Sequence, residues 1–357
     1  MLRLAASRRF QTWAARMPVF AGQARREGEA MMGLISGFVQ SQCLFALIEL
    51  DVLTRLSHGP QSAEDLSDAR MPAERMELLL RGAVALGLVR MAGDRYALTV
   101  RGAASLAVPG LSEMVRHHKV LYADLADPVA VFRGDGPTAL ARFWPYVFGA
   151  DGAVDPGVTQ TYSDLMADSQ ALVAEDTLRM VDFADAGMIM DVGGGTGAFL
   201  TALGRAVDGP RLHLFDLPAV VPGAESRFRA ADLTARVTIT PGSFRDDALP
   251  QGADTVTLVR VLYDHADATV RALLAAVLDA LPPGGRIVVS EPMTGGDAPT
   301  IAGDIYFATY CMAMGTGRAR SSNEISALLT DAGFEGIEVP RAPRPFVTSA
   351  VVARKPG

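Results

Sequence analysis

The stretch Met188-Ile-Met-Asp-Val-Gly-Gly-Gly-Thr-Gly197 limits what this chain can fold into more than any other. Its apolar start, Met188 to Met190 with Val192, has the length and character of a buried parallel strand, and a glycine cluster closes it. Glycines at 193, 194, 195 and 197 allow a turn that ordinary side chains would block, so a ligand can lie directly against backbone. Ala198 to Ala206 follows with helical spacing, and a helix starting there aims its unpaired N–H groups into the turn.

Two ligands fit such a unit. Gly193, Gly195 and Ala198 match the spaced G-x-G-x-x-A form of a nicotinamide or flavin dinucleotide site. The same compact turn also suits S-adenosylmethionine, a sulfonium nucleoside without phosphate. Asp216 ends a second strand, Arg211 to Asp216, and a carboxylate there can accept both hydroxyls of a ribose in either case. Spacing does not choose between the two.

From Asp185 onward strands and helices alternate. Val256–Leu262 and Arg286–Glu291 read as strands, 268–281 and 324–332 as helices, and 346–353 as the last strand. The pattern predicts a doubly wound α/β sheet, whose ligands sit beyond the carboxyl ends of the strands. Asp191, Asp216, Tyr263 with His265, and Glu291 all fall at those ends.

The first half differs. Residues 31–56 carry apolar residues at helical spacing over too broad a face for one wet side, which predicts a helix buried in a subunit interface. Ser62-Ala-Glu-Asp65 is a helix start, 72–87 a second helix, and 88–99 a hairpin turning at Gly93-Asp94. Helix, helix, hairpin is a winged-helix arrangement. DNA reading is not expected of it, because its second helix carries Glu74, Glu77 and three leucines. The formal charge of −7 also argues against a nucleic-acid partner. Glycine-rich stretches near 149–157 place the domain boundary near residue 155, giving a helical domain over 1–155 and a ligand-binding domain over 156–357.

Two cysteines, Cys43 and Cys311, give no disulfide framework and point to a reducing, cytoplasmic compartment. No Asp/Glu/His group has metal-ligand spacing, so metal-independent chemistry is expected. The opening sixteen residues hold four arginines and no acid, which suits a transit peptide or a short amphipathic helix touching a membrane surface or a partner subunit. No stretch of about 20 apolar residues follows, so nothing is expected to span a bilayer.

Asp191-Val-Gly-Gly-Gly-Thr-Gly197, Phe215-Asp-Leu-Pro218, Pro241-Gly-Ser-Phe244, Leu262-Tyr-Asp-His-Ala-Asp267 and Pro283 to Glu291 stand in one order along the chain. That order resembles the small-molecule O-methyltransferases, a family that includes plant phenolic and acetylserotonin enzymes, over nearly the whole length. The opening Arg8-Arg-Phe-Gln-Thr-Trp13 is similar to bacterial members that methylate the C1 hydroxyl of acyclic hydroxycarotenoids. The resemblance implies S-adenosylmethionine as cofactor, a Rossmann-like methyltransferase sheet preceded by a winged-helix dimerisation domain, and a homodimer. It also implies an apolar hydroxylated substrate and allows peripheral contact with the inner membrane.

Carried over by position, Asp191, Gly193 and Gly195 line the methionine and ribose parts of the cofactor, and Asp216 binds the ribose hydroxyls. Leu217 and Phe244 flank the adenine, with Ser243 where the family often has an acid. Arg260, Met166 and Ser169 complete the expected cofactor set. His117, Tyr306, Tyr310 and Met314 are expected to face the substrate. The family usually reads Leu-His-Asp-Trp, with histidine as base, where this chain reads Leu262-Tyr263-Asp264-His265. A second family acid is replaced near Ala319. The expected catalytic group is therefore His265 as proton acceptor, Tyr263 as orienting residue and Glu291 beside them. His117 and His118, being adjacent on a helix, should point to opposite sides, at most one into a pocket.

Overall fold

A computed structural model describes residues 6–143 and 169–357. The chain divides into two compact units, up to Arg116 and from His117 onward. The boundary expected near 155 lies outside the described residues.

The first unit opens with α1 (Arg8–Arg16) and α2 (Pro18–Glu49). Pro18 occupies the first turn of α2, where its missing N–H costs nothing. The helix expected to start near Met31 thus begins thirteen residues earlier (31 − 18) and stops before Asp51, whose φ of 52° turns the chain left-handed. Then α3 (Val52–Ser57), α4 (Ala63–Leu66) and α5 (Ala73–Ala85) lead to a hairpin of β1 (Val89–Ala92) and β2 (Arg95–Leu98). Ser62 and Asp65 form the capping box that starts α4. The helix–helix–hairpin arrangement is as expected, turning at Gly93, with Leu47, Val52, Met76, Leu80 and Tyr96 in its core. Helix α6 (Val100–Leu106) follows, and α7 (Leu111–Asp124) spans the division.

Along α2, Met31, Leu34, Ile35 and Phe38 are all more than half exposed. Their i, i+3, i+4, i+7 spacing makes one bare apolar stripe. By length and composition α2 is apolar enough to cross a membrane, which corrects the expectation that no such stretch exists. Ser36, Gln40, Ser41 and Gln42 interrupt the apolar run without adding charge, which hides its length in the sequence.

The second unit begins with α8 (Pro128–Arg133), α9 (Ala139–Phe143) and, after the undescribed residues, α10 (169–180). Strands β3 (Met188–Val192), β4 (Arg211–Asp216), β5 (Val237–Pro241), β6 (Thr255–Val259) and β7 (Arg286–Glu291) run parallel. Helices α11 (Ala198–Ala206), α12 (Val221–Ala230) and α13 (Asp267–Ala280) connect them. A π-helical turn, Ile301–Phe307, runs into α14 (Ala308–Ala313), and α15 (Ser322–Asp331) precedes β8 (Glu335–Glu338) and β9 (Ser349–Arg354). Sheet order is β5-β4-β3-β6-β7-β9-β8, with β9 antiparallel to both neighbours.

The order reverses between β3 and β6, so the crevice for a ligand opens beyond Val192 and Val259. Apolar clusters cover both faces of the sheet, as a parallel sheet requires. Strands β5 and β8 escaped the sequence reading because both are half-exposed edges, and β8 is four residues long with an irregular register.

Candidate functional site

The penultimate residue of β3, Asp191, is a carboxylate with no exposure. Asp191 Oδ1 accepts a hydrogen bond from Thr257 Oγ1 at 2.6 Å, and Oδ2 has no partner. Burial raises its pKa to about 7. A Cβ on Gly194 would come within 2.4 Å of that carboxylate and 2.6 Å of Leu214, so only glycine lets the turn close over Asp191. Gly193 donates to the Phe215 carbonyl at 2.9 Å, tying the turn to β4. Gly195 sits at φ 60° with open space where its Cβ would be, leaving bare backbone facing the crevice.

Asp216 closes the other side. Its two oxygens accept from the Gly195 and Leu217 N–H groups, each at 2.6 Å. Burial raises its pKa, and these two bonds oppose the rise. Each oxygen keeps a further lone pair for a ligand hydroxyl.

Beyond β5, Ser243 Oγ donates to Asp246 Oδ2 at 2.8 Å and its N–H to Asp247 Oδ2 at 2.8 Å. The acid missing at position 243 is therefore brought to the same turn from three and four residues on. Phe244 packs edge-on against His265, with ring centroids 5.3 Å apart.

Strand β6 ends abruptly because Arg260 takes φ 60°, a left-handed conformation unusual for a non-glycine residue. A 3-10 turn, Leu262–Asp264, follows. Arg260 donates Nη1–H to Ser169 Oγ at 2.7 Å, and its Nε–H and Nη2–H to the Tyr263 hydroxyl at 3.3 and 3.2 Å. The Tyr263 oxygen thus receives two hydrogen bonds, and its own O–H remains to donate. Burial holds the phenol neutral, far above its ordinary pKa. Met166, expected beside Ser169, lies outside the described residues.

His265 Nδ1 lies 3.1 Å from Arg245 Nη2. A guanidinium only donates, so Nδ1 is the acceptor and the neutral ring carries its proton on Nε2. Burial, and then the Arg245 charge, lower its pKa to about 4. Glu291 Oε2 accepts from the Tyr263 N–H at 3.1 Å, while Oε1 has no partner and burial raises the pKa to about 7. Asp264 is raised to about 8 by the same cause and keeps an unpartnered Oδ1.

Arg320 was missed at the sequence level. It is fully buried and donates to the Leu262 and His265 carbonyls at 2.8 Å and to Asp267 Oδ1 at 2.6 Å. No local pattern marks it, because Ala319 and Arg320 are both buried in an irregular segment, Ala319 packing with Tyr263 and Cys311.

Of the expected substrate residues, the π-helical turn holds Tyr306, α14 holds Tyr310 with Met314 at its cap, and α7 holds His117. His117 Nε2 and His118 Nε2 lie 2.7 Å from the hydroxyls of Tyr310 and Tyr306 respectively. Both adjacent histidines therefore reach the same helix, contrary to the expectation of opposite sides. Tyr306 and Tyr310 stand one turn apart, and their long phenols span the angle between the two rings. Burial lowers the pKa of both histidines, His117 to about 4. Met314 is buried with Leu121, Leu140 and Tyr310.

The crevice offers a buried carboxylate with one unpartnered oxygen, uncovered backbone at Gly195 and a second carboxylate with spare lone pairs. These suit a ligand with a cationic or hydroxyl-rich end and a ribose. Comparisons with known proteins agree on its kind. The family model of the O-methyltransferase domain matches residues 122–335, and that of the O-methyltransferase dimerisation domain matches residues 32–107. The demethylspheroidene O-methyltransferase of Cereibacter sphaeroides is 54% identical, over 99% of this chain and 94% of its own. That of Rhodobacter capsulatus is 50% identical, over 99% of this chain and 88% of its own. The crystal structure of human N-acetylserotonin methyltransferase in complex with SAM superimposes with a TM-score of 0.77 at 25% identity, covering 93% of this chain and 98% of that one. The chain belongs to the O-methyltransferase family, with the dimerisation domain in its first unit and the methyltransferase domain in its second.

Proposed function

We propose that this enzyme methylates the C1 hydroxyl of an acyclic hydroxycarotenoid, with S-adenosylmethionine as donor, and works as a homodimer. The substrate class rests on 54% and 50% identity to two demethylspheroidene O-methyltransferases over 99% of the chain. A long polyene alcohol partitions into a bilayer, so peripheral contact with a membrane belongs to the reading. The bare stripe of Met31, Leu34, Ile35 and Phe38 supports the homodimer, since a second copy would cover it.

When bound, S-adenosylmethionine supplies a methyl group activated on a sulfonium. Asp191, Gly193 and Gly195 would hold its methionine and ribose portions, Asp216 the ribose hydroxyls, and Leu217, Ser243 and Phe244 the adenine. Arg260 and Ser169 would border the same crevice.

The observation that carries the mechanism is the occupied state of both candidate bases. The Tyr263 oxygen receives two bonds from Arg260, and His265 Nδ1 receives one from Arg245. Neither has a lone pair left for a substrate proton. Tyr263 then acts as a donor that orients the substrate oxygen, with the π-helical segment around Tyr306, Tyr310 and Met314, and His117 behind it, shaping the apolar side. Glu291 keeps an unpartnered oxygen and a pKa of about 7, which suits a proton acceptor at neutral pH. A tertiary alcohol is weakly acidic, so positioning supplies most of the acceleration and the proton leaves late.

The test is methyl transfer from labelled S-adenosylmethionine to a hydroxycarotenoid, read by mass. Wild type should add one methyl group. Tyr263→Phe should lower kcat about 10- to 100-fold, and Glu291→Gln should lower kcat and flatten its rise with pH near 7, while His265→Ala changes kcat little. An inactive wild type would overturn the substrate. A His265→Ala variant as impaired as Glu291→Gln would return the proton to histidine.

A further inference from the structure

The dimerisation family model begins at residue 32 and the methyltransferase model at residue 122, so α1 and the first turns of α2 lie before both matched domains. Phe10, Trp13 and Ala14 fall at i, i+3, i+4 along α1 and share one side of it. Ala14 is buried, and the Trp13 ring stands between Phe10 and Phe20, at 5.6 and 5.8 Å between centroids. This aromatic row bridges α1 and α2, yet Trp13 is 47% and Phe20 42% exposed, next to Val19 at 83%. Arg8, Arg9 and Arg16 are exposed around it, and Arg25 and Arg26 continue along α2. Arg25 pairs loosely with Glu29, at 3.6 Å between two exposed side chains. No acidic residue precedes Glu27, although the chain as a whole carries a net charge of −7.

A cationic end on an acidic protein, with a tryptophan at its apolar edge, is complementary to a surface that is anionic and greasy beneath. We infer that α1, with the start of α2, docks the enzyme on an anionic lipid bilayer. The arginines would meet the headgroups, and Trp13, Phe20 and Val19 would enter the boundary with the acyl chains. This inference deepens the reading of an apolar substrate by naming the surface that brings the enzyme to it. A nine-residue helix holds only weakly by itself. Two copies in a homodimer would add by effective concentration, so binding is reversible and salt-sensitive.

The full-length protein is to be floated with vesicles of phosphatidylcholine alone, and with phosphatidylglycerol as roughly a third of the lipid. Wild type should bind the anionic vesicles about tenfold or more better than the neutral ones, and about 0.5 M salt should release it. The triple variant Arg8→Glu, Arg9→Glu, Arg16→Glu should lose about tenfold or more of that binding. Trp13→Ser should lose part of it and stay salt-sensitive. All these variants should methylate a detergent-dispersed substrate at the wild-type rate and remain dimeric by light scattering.

Equal flotation with both vesicle types, or a triple variant that floats like wild type, would overturn the docking. A triple variant that becomes monomeric would do so too, by assigning α1 to a second copy. Failure to methylate the dispersed substrate would count against the substrate reading alone, since flotation needs no turnover.

Discussion

Asp191 sets the pH behaviour of the cofactor crevice. Its native pKa of about 7 stands above the ordinary carboxylate range, so the folded, ligand-free protein binds more protons than the unfolded chain near neutrality. The stability this contributes is full below about pH 4 and is lost as pH rises through about 7. A ligand donating hydrogen bonds to the unpartnered Oδ2 favours the ionised form and lowers that pKa. Binding of S-adenosylmethionine should therefore release protons between pH 6 and 8, and affinity should rise over that range, by about tenfold at most per pH unit. Calorimetry in two buffers of different ionisation enthalpy measures the release, and Asp191→Asn should abolish it. Proton-neutral binding in wild type would show that the ligand leaves Asp191 alone. The sequence named Asp191 and Asp216 by their places at the carboxyl ends of two strands. It could not show that Asp191 keeps one unpartnered oxygen while both oxygens of Asp216 accept a backbone N–H, because that depends on Thr257 and Gly195 coming from elsewhere.

At the scale of elements, the segment 260–267 shows how a site is held by residues far away in sequence. Its start is bent by Arg260 in a left-handed conformation, and its carbonyls and Asp267 are gripped by Arg320. Arg320→Ala would strand two buried carbonyls and loosen the turn carrying Tyr263 and His265. It should cost about 2–3 kcal/mol in thermal or chemical denaturation. It should also lower kcat more than cofactor affinity, and Arg320→Lys should recover part of both, since an ammonium cannot fork to three acceptors. An unchanged melting temperature would mean that the turn is held by its own backbone. The motif Leu262 to Asp267 was visible in the sequence, and so were its departures from Leu-His-Asp-Trp. Ala319 beside Tyr263 gives the tyrosine and the missing second acid one physical sense: a phenol fixed by Arg260 needs no second acid, and a small residue leaves room for it. That pairing spans more than fifty residues and has no local signature.

At the scale of the whole molecule, the apolar stripe of α2 demands a cover. Phe38→Asp with Leu34→Asp should convert a dimer to a monomer by light scattering, because each places a charge where a second copy would bury 71% and 74% exposed side chains. A variant that stays dimeric would move the interface elsewhere. The stripe was legible as a helix too apolar for one wet side. Only the structure shows that the helix reaches back to Pro18 and passes the length of a membrane span.

Local sequence decided the strand–glycine–helix unit, the winged-helix order and the position of each acidic strand end. Each of these rests on short-range rules: which residues tolerate a tight turn, which period suits a strand, which side chain caps a helix. Tertiary structure alone decided which hydrogen-bonding capacities remain open at the site. Two guanidinium groups fill the lone pairs of Tyr263 and His265, while burial leaves Asp191 and Glu291 with one bare oxygen each. Occupancy of a lone pair depends on what lies within 3 Å in space, and separation along the chain does not encode it.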